Sequence, residues 1–119
     1  MRIPAKRVVL AGLCALLLMA AGCKSYWMDA TVVNRSGEVV KELEVSYPSA
    51  SFGANTLAPG AEYKYHFQVR NSGPMAVDYV NADGKHVRVE GTTLDESMQG
   101  TVEIDLLPAG KVEFHPAIH

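Results

Sequence analysis

Residues 62–70, EYKYHFQVR, alternate without a break. Tyr63, Tyr65, Phe67 and Val69 take one set of positions; Glu62, Lys64, His66, Gln68 and Arg70 take the other. Successive side chains of a strand point to opposite faces, so this order predicts a strand with one face buried and one wet. A helix would scatter the same residues around its surface. A half-buried strand cannot stand alone, so the rest of the chain must supply a second apolar surface.

It does so with more strands. Leu43, Val45 and Tyr47 alternate with Glu42, Glu44 and Ser46. Met75, Val77 and Tyr79 share a face, as do Val87 and Val89, then Val102, Ile104 and Leu106, then Val112 and Phe114. ATVVN, from Ala30, supplies a first strand. Turn chemistry separates them at Asn34–Gly37, Ala58–Gly60, Asn71–Pro74, Asp83-Gly84 and Pro108–Gly110. Asp83-Gly84 fits a two-residue type I′ hairpin between residues 75–82 and 85–90, and Pro108–Gly110 should join the last two strands. No segment has a helical period, although residues 92–99 have room for one short turn. About seven short strands with one apolar face each predict an all-β fold: an immunoglobulin-like antiparallel β-sandwich over residues 29–119.

The N-terminus has a different character. Arg2, Lys6 and Arg7 precede 15 uncharged residues, Val8–Gly22, rich in Leu and Ala. A basic start, a short apolar run and small residues at its end describe a secretory signal peptide over residues 1–22. A membrane-spanning helix needs about 20 apolar residues, and Lys24 closes this run early. Without the signal, 97 residues remain, carrying eight Lys+Arg against 13 Asp+Glu. That acidic, mixed chain lacks the basic stripe that phosphate binding requires, so nucleic acid is not an expected partner. Cys14 leaves with the signal, so Cys23 has no intramolecular disulfide partner.

Ala20-Ala21-Gly22-Cys23 in this setting resembles the lipobox of bacterial lipoproteins, although Ala20 stands where that family favours Leu. The resemblance implies cleavage between Gly22 and Cys23 and a diacylglycerol thioether on Cys23, often with a further acyl group on its amine. The lipid bilayer is then a partner, since two or three chains at about 0.8 kcal/mol per buried CH2 hold a protein stably. It also implies a cell-envelope location. Lys24 lacks the Asp that retains such proteins in the inner membrane, so the outer membrane, periplasmic side, is expected. Cleavage by the ordinary signal peptidase would instead yield a soluble protein. Residues 23–28 would be anchor and tether, and the six residues Lys24–Asp29 between lipid and first alternating strand reach roughly 20 Å at 3.3–3.6 Å each. Tyr26 and Trp27 then suit the headgroup layer, or Trp27 covers an end of the core.

A second resemblance lies in the domain. Leu57, Pro59, Gly60 and Tyr63 match the L-x-P-G-x-x-Y corner of fibronectin type III domains. In that family the tyrosine hydroxyl bonds back to the backbone. The motif supports a sandwich; the strands after it are too many for membership.

Catalytic patterns are missing from the sequence: no G-x-S-x-G, P-loop, H-E-x-x-H, C-x-x-C or G-x-G-x-x-G. No enzymatic activity and no cofactor are expected. Histidines are the candidate metal ligands. His66 and His86 both fall on outward faces and could pair across adjacent strands; exposed histidine without a metal is the alternative. His115 and His119 have helical spacing, but Pro116 breaks a helix. Glu42 with Glu44 and Glu103 with Asp105 read as solvated sheet charge, and Asn34 as a turn residue within a glycosylation-type sequon.

Residues 46–61, SYPSASFGANTLAPGA, hold no charge. They form either an edge strand or loop that meets a partner, with Tyr47 and Phe52 as candidate partner-facing residues, or a buried crossing between sheets. The reading that follows is an anchored, non-catalytic envelope lipoprotein used for protein interaction or support. The alternative is a periplasmic ligand or Cu/Zn-binding module using surface histidines.

Overall fold

A computed structural model describes residues 26–119. The expected signal helix, Gly22 and Cys23 lie outside the described residues. Eight strands follow in order: β1 (Met28–Asn34), β2 (Val40–Tyr47), β3 (Ala50–Leu57), β4 (Glu62–Phe67), β5 (Gly73–Val80), β6 (His86–Leu94), β7 (Gly100–Leu106) and β8 (Val112–Ile118). They form two four-stranded sheets, ordered β4-β1-β7-β8 and β3-β2-β5-β6. Among the described residues no helix is long and apolar enough to cross a membrane.

The expected two-sheet sandwich is the architecture found, with one more strand than counted. Five of its six strand pairings are antiparallel, but β1 and β7 run parallel, with Ala30 level with Val102 and Val32 with Ile104. Local alternation fixes which face a residue takes and carries no information about which strand becomes its neighbour.

The core lies between the sheets. Met28, Val32, Val102, Ile104 and Leu106 face Val40, Val45, Met75, Val77 and Tyr79, all at most 2 % exposed. Burying one such aliphatic side chain contributes roughly 1.5–3 kcal/mol. Met28 belongs to this core, so the domain begins before the expected boundary at residue 29.

Two bulges keep the apolar faces in phase. In β2, Lys41 is level with Val80 and Glu44 with Asp78, so Glu42 and Leu43 together oppose Tyr79. Glu42 takes φ +52°, and the extra residue turns both Val40 and Leu43 inward. In β6, Pro74 is level with Thr93 and Ala76 with Glu90, leaving Gly91 and Thr92 to oppose Met75.

The β5–β6 hairpin is present with a different turn. Its loop runs from Asn81 to Lys85, and of the two central residues only Gly84 has positive φ (+79°), where a type I′ turn requires two. Asn81 Oδ1 accepts from the amides of Asp83 (3.0 Å) and Lys85 (2.9 Å), which favours the longer loop. Residues 92–99 finish β6 and then turn, with the Met98 amide donating to the Asp95 carbonyl at 3.2 Å.

The L-x-P-G corner is locked by Asn34 rather than by Tyr63. The Gly60 amide donates to the Asn34 carbonyl (2.7 Å), and the Asn34 amide donates to the Ala61 carbonyl (3.0 Å). Asn34 Nδ2 also donates to the Leu57 carbonyl at 2.9 Å. Tyr63 lies in an aromatic seam instead, its ring 6.0 Å from that of Phe52.

Candidate functional site

Because β3 and β4 are the terminal strands on one side of the sandwich, their meeting line has no ladder to close it. Aromatic rings close it. Phe52 stacks on Tyr65 at 4.3 Å and 13°, and Tyr47 meets Phe67 at 4.4 Å. Phe52 is only 6 % exposed, so it is a core residue rather than a partner-facing one. The phase of β3 puts Phe52 on the inner face, where an apolar ring gains most. Tyr47 is half-buried in the same seam, and burial first, then the neighbouring Tyr65, pushes its hydroxyl above the usual tyrosine range.

What residues 46–61 present outwardly is a strand edge. The uncharged segment is a hairpin arm: β3 pairs with β2 from Tyr47↔Ala50 to Val40↔Leu57 and has no strand on its other side. Most of it is strand rather than loop, and only its last four residues, Ala58–Ala61, make the crossing from the sheet of β3 to the sheet of β4. Its outward residues include Ser51 and Gly53, and Gly53 is level with Glu44 of β2. Glu42 and Glu44 are exposed and form no ion pair among the described residues.

The histidines go elsewhere. His66 is on β4 and His86 on β6, in different sheets, so they are not cross-strand neighbours. His66 Nδ1 lies 2.6 Å from Asp29 Oδ1, and Trp27 stacks on the His66 ring at 4.2 Å and 8°. Trp27 therefore neither dangles in the tether nor covers the core; it docks on the outer sheet face. His86 lies 3.0 Å from Asp78, which Arg88 also holds at 2.6 Å.

One group of three metal-type ligands does come together among the described residues: Asp105, Glu113 and His115. His115 Nε2 lies 3.2 Å from Asp105 and 3.3 Å from Glu113. Arg35 Nε donates to the other Asp105 oxygen at 3.2 Å. A cation would share that carboxylate with a guanidinium, so this arrangement is a charge-compensated network around a buried Asp. The sequence pairs Glu103 with Asp105 as equals. The structure separates them, burying Asp105 to 7 % exposure beneath Arg35.

Among the described residues one buried side-chain polar atom has no partner. It is the Tyr79 hydroxyl, and Tyr79 also lines a cavity of about 220 Å³ at the sandwich end away from Trp27, together with Val40, Asn81, Leu107 and Pro108 among others. Burial pushes its pKa above the usual tyrosine range. An unpaired buried hydroxyl costs about 1–3 kcal/mol, so Tyr79→Phe should stabilise the fold by at least about 1 kcal/mol. A raised folded pKa means the native state holds its proton more tightly, so wild-type stability falls as pH rises above about 10. The advantage of the phenylalanine variant should therefore widen there. Urea unfolding at pH 7 and pH 10.5 measures both; a destabilised variant would show the hydroxyl bonded to solvent in the cavity.

No family model matches the chain, and no curated protein does either. Among solved structures it is similar to a protein from Eubacterium rectale determined by NMR, with a TM-score of 0.54 and 17 % identity. The match covers 76 % of this chain and 87 % of that one. At that identity the likeness is one of fold.

Proposed function

We propose that this chain is a lipid-anchored protein of a bacterial cell envelope, with a small β-sandwich used for protein interaction or support rather than catalysis. The observation that carries the reading is Ala20-Ala21-Gly22-Cys23 at the end of a short apolar run with a basic start. Cys23 has no cysteine partner in the processed chain, and lipidation gives its thiol a use.

The domain geometry adds a consequence. The Gly100 amide donates to the Trp27 carbonyl at 3.2 Å, so Trp27 is already tied into the domain. Three residues, Lys24–Tyr26, then remain between lipid and domain, a reach of about 10 Å at 3.3–3.6 Å each. Tyr26, Trp27 and Ile118, 38–43 % exposed, lie at the end where the chain enters. That end would meet the headgroup layer, where amphipathic aromatics are favoured.

Metabolic labelling with an alkyne fatty acid is the test. Wild type should take up label and fractionate with the outer membrane, and Cys23→Ser should do neither. An unlabelled wild type ends the reading. Trp27 is the chain's single tryptophan, so its quenching by brominated lipid reports the facing end directly.

A further inference from the structure

A sheet edge is a row of unpaired backbone donors and acceptors, and folded proteins blunt such edges with charge, proline or bulges. Three of the four edges here are blunted. β4 carries Glu62, Lys64 and His66 on its outer face; β6 carries His86, Arg88 and Glu90 and a bulge at Gly91; β8 carries Glu113, His115 and Pro116. β3, ASFGANTL, carries none of these over eight residues. Pro48 and Pro59 stand just outside it, beyond both ends.

From this contrast we infer that β3 is a docking edge for an extended, basic peptide segment of another protein, which adds to the sheet beside it. The main-chain ladder supplies affinity, and the side chains beside it supply selection. Selection is for positive charge. Gly53 has no side chain, and its neighbour across the ladder is Glu44. A lysine or arginine of the added strand can pass over Gly53 toward Glu44 and Glu42, which have no cationic partner among the described residues. Ser51 keeps the adjacent outward position small.

A second copy of this chain is the less suitable occupant. Two β3 strands related by a two-fold axis would run antiparallel and bring no basic residue to Glu44. They would also point the two Trp27 ends in opposite directions, about one strand length of 25 Å apart. A three-residue tether cannot span that distance to a shared membrane; this last point rests on the anchor reading, whereas the edge and charge arguments do not.

The probe is a capped nine-residue peptide of alternating threonine and valine with a central lysine, added to the purified protein in detergent. Amide shifts should move at residues 50–57 and little elsewhere. Methylating alternate backbone nitrogens of the peptide should abolish binding, without touching the protein's fold. Glu44→Gln, or a central glutamate in the peptide, should weaken binding about threefold, as expected for one exposed ion pair. Undiminished binding of the methylated peptide would overturn the inference, as would shifts centred outside β3 or no binding at all. Shifts in β3 that follow protein concentration alone would also overturn it, naming a second copy as occupant. None of these readouts depends on whether Cys23 carries lipid.

Discussion

Asn34→Ala is expected to cost about 3 kcal/mol and to lower the thermal midpoint by more than about 10 °C in a domain of this size. Asn34 is 1 % exposed at the end of β1, and its amide group makes four hydrogen bonds. Nδ2 donates to the carbonyls of Glu38 (2.7 Å) and Leu57 (2.9 Å). Oδ1 accepts from the Ser36 amide (3.1 Å) and hydroxyl (2.6 Å). One side chain thus fastens the turn after β1 to the corner after β3, tying the two sheets together. Alanine leaves the Leu57 carbonyl buried without its donor, which is the costly half of losing a hydrogen bond.

Asn34→Asp separates this explanation from simple loss of volume. Its carboxylate keeps the acceptor for Ser36 but sets a second oxygen against two carbonyls. Burial and that repulsion raise the carboxyl pKa in the folded state above its unfolded value near 4. A raised folded pKa means the native state binds the proton more tightly, so the penalty is full at neutral pH and eases as pH falls through the folded value. The protonated form can then donate one of the lost bonds. The aspartate variant should recover stability in acid relative to wild type, and the alanine variant should not. Urea titrations at pH 7 and pH 4.5 decide it: parallel behaviour of the two variants, or an alanine cost under about 1 kcal/mol, would rule out the lock.

Asn34 also marks how far the sequence can be read. Seven strands and their faces were legible because half-buried strands write their burial into alternation. β3 was not, since Ser, Gly, Ala, Asn and Thr give an edge strand no period to detect. Of its two large apolar residues, Leu57 sits at the very end and Phe52 reads as exposed by association with small polar neighbours. The bulges at Glu42 and Gly91 escape for the opposite reason. A single extra residue shifts the phase, so Val40 falls out of step with the alternation of Leu43, Val45 and Tyr47. Asn34 is a turn residue by composition; only the return of the chain at Leu57–Ala61 makes it a buried lock. The parallel β1–β7 pair and the separation of His66 from His86 are likewise facts about neighbours that no local pattern encodes. Gly22 and Cys23 remain a reading of sequence alone.

Gly53→Ala should be costlier than its place on an exposed edge strand implies. A Cβ built at Gly53 overlaps the Leu43 carbonyl oxygen and lies 3.0 Å from the Leu43 carbon and 3.1 Å from Glu44 Cα. These are backbone atoms of the bulged part of β2, so no rotamer change relieves the overlap. Either β3 moves away from β2, losing ladder bonds, or the bulge is reset and Leu43 or Val40 turns out of the core. Forced overpacking of this kind costs about 1–3 kcal/mol, and the upper end is expected here. Gly91→Ala is the informative comparison. Its Cβ would meet the ring of Phe114, which closes the opposite seam from β8. A half-buried phenylalanine can swing aside, so that cost should be smaller, about 1 kcal/mol. The two variants should also differ in where they act. Hydrogen exchange in Gly53→Ala should quicken at residues 40–57, through the loosened hairpin. In Gly91→Ala it should change at β6 and β8. Equal costs, or unaltered protection across the β2–β3 hairpin, would mean that β3 does not need its close approach to β2. In that case the empty position over Glu44 would have no structural reason to be a glycine, and selection by a binding partner would be the explanation left for it.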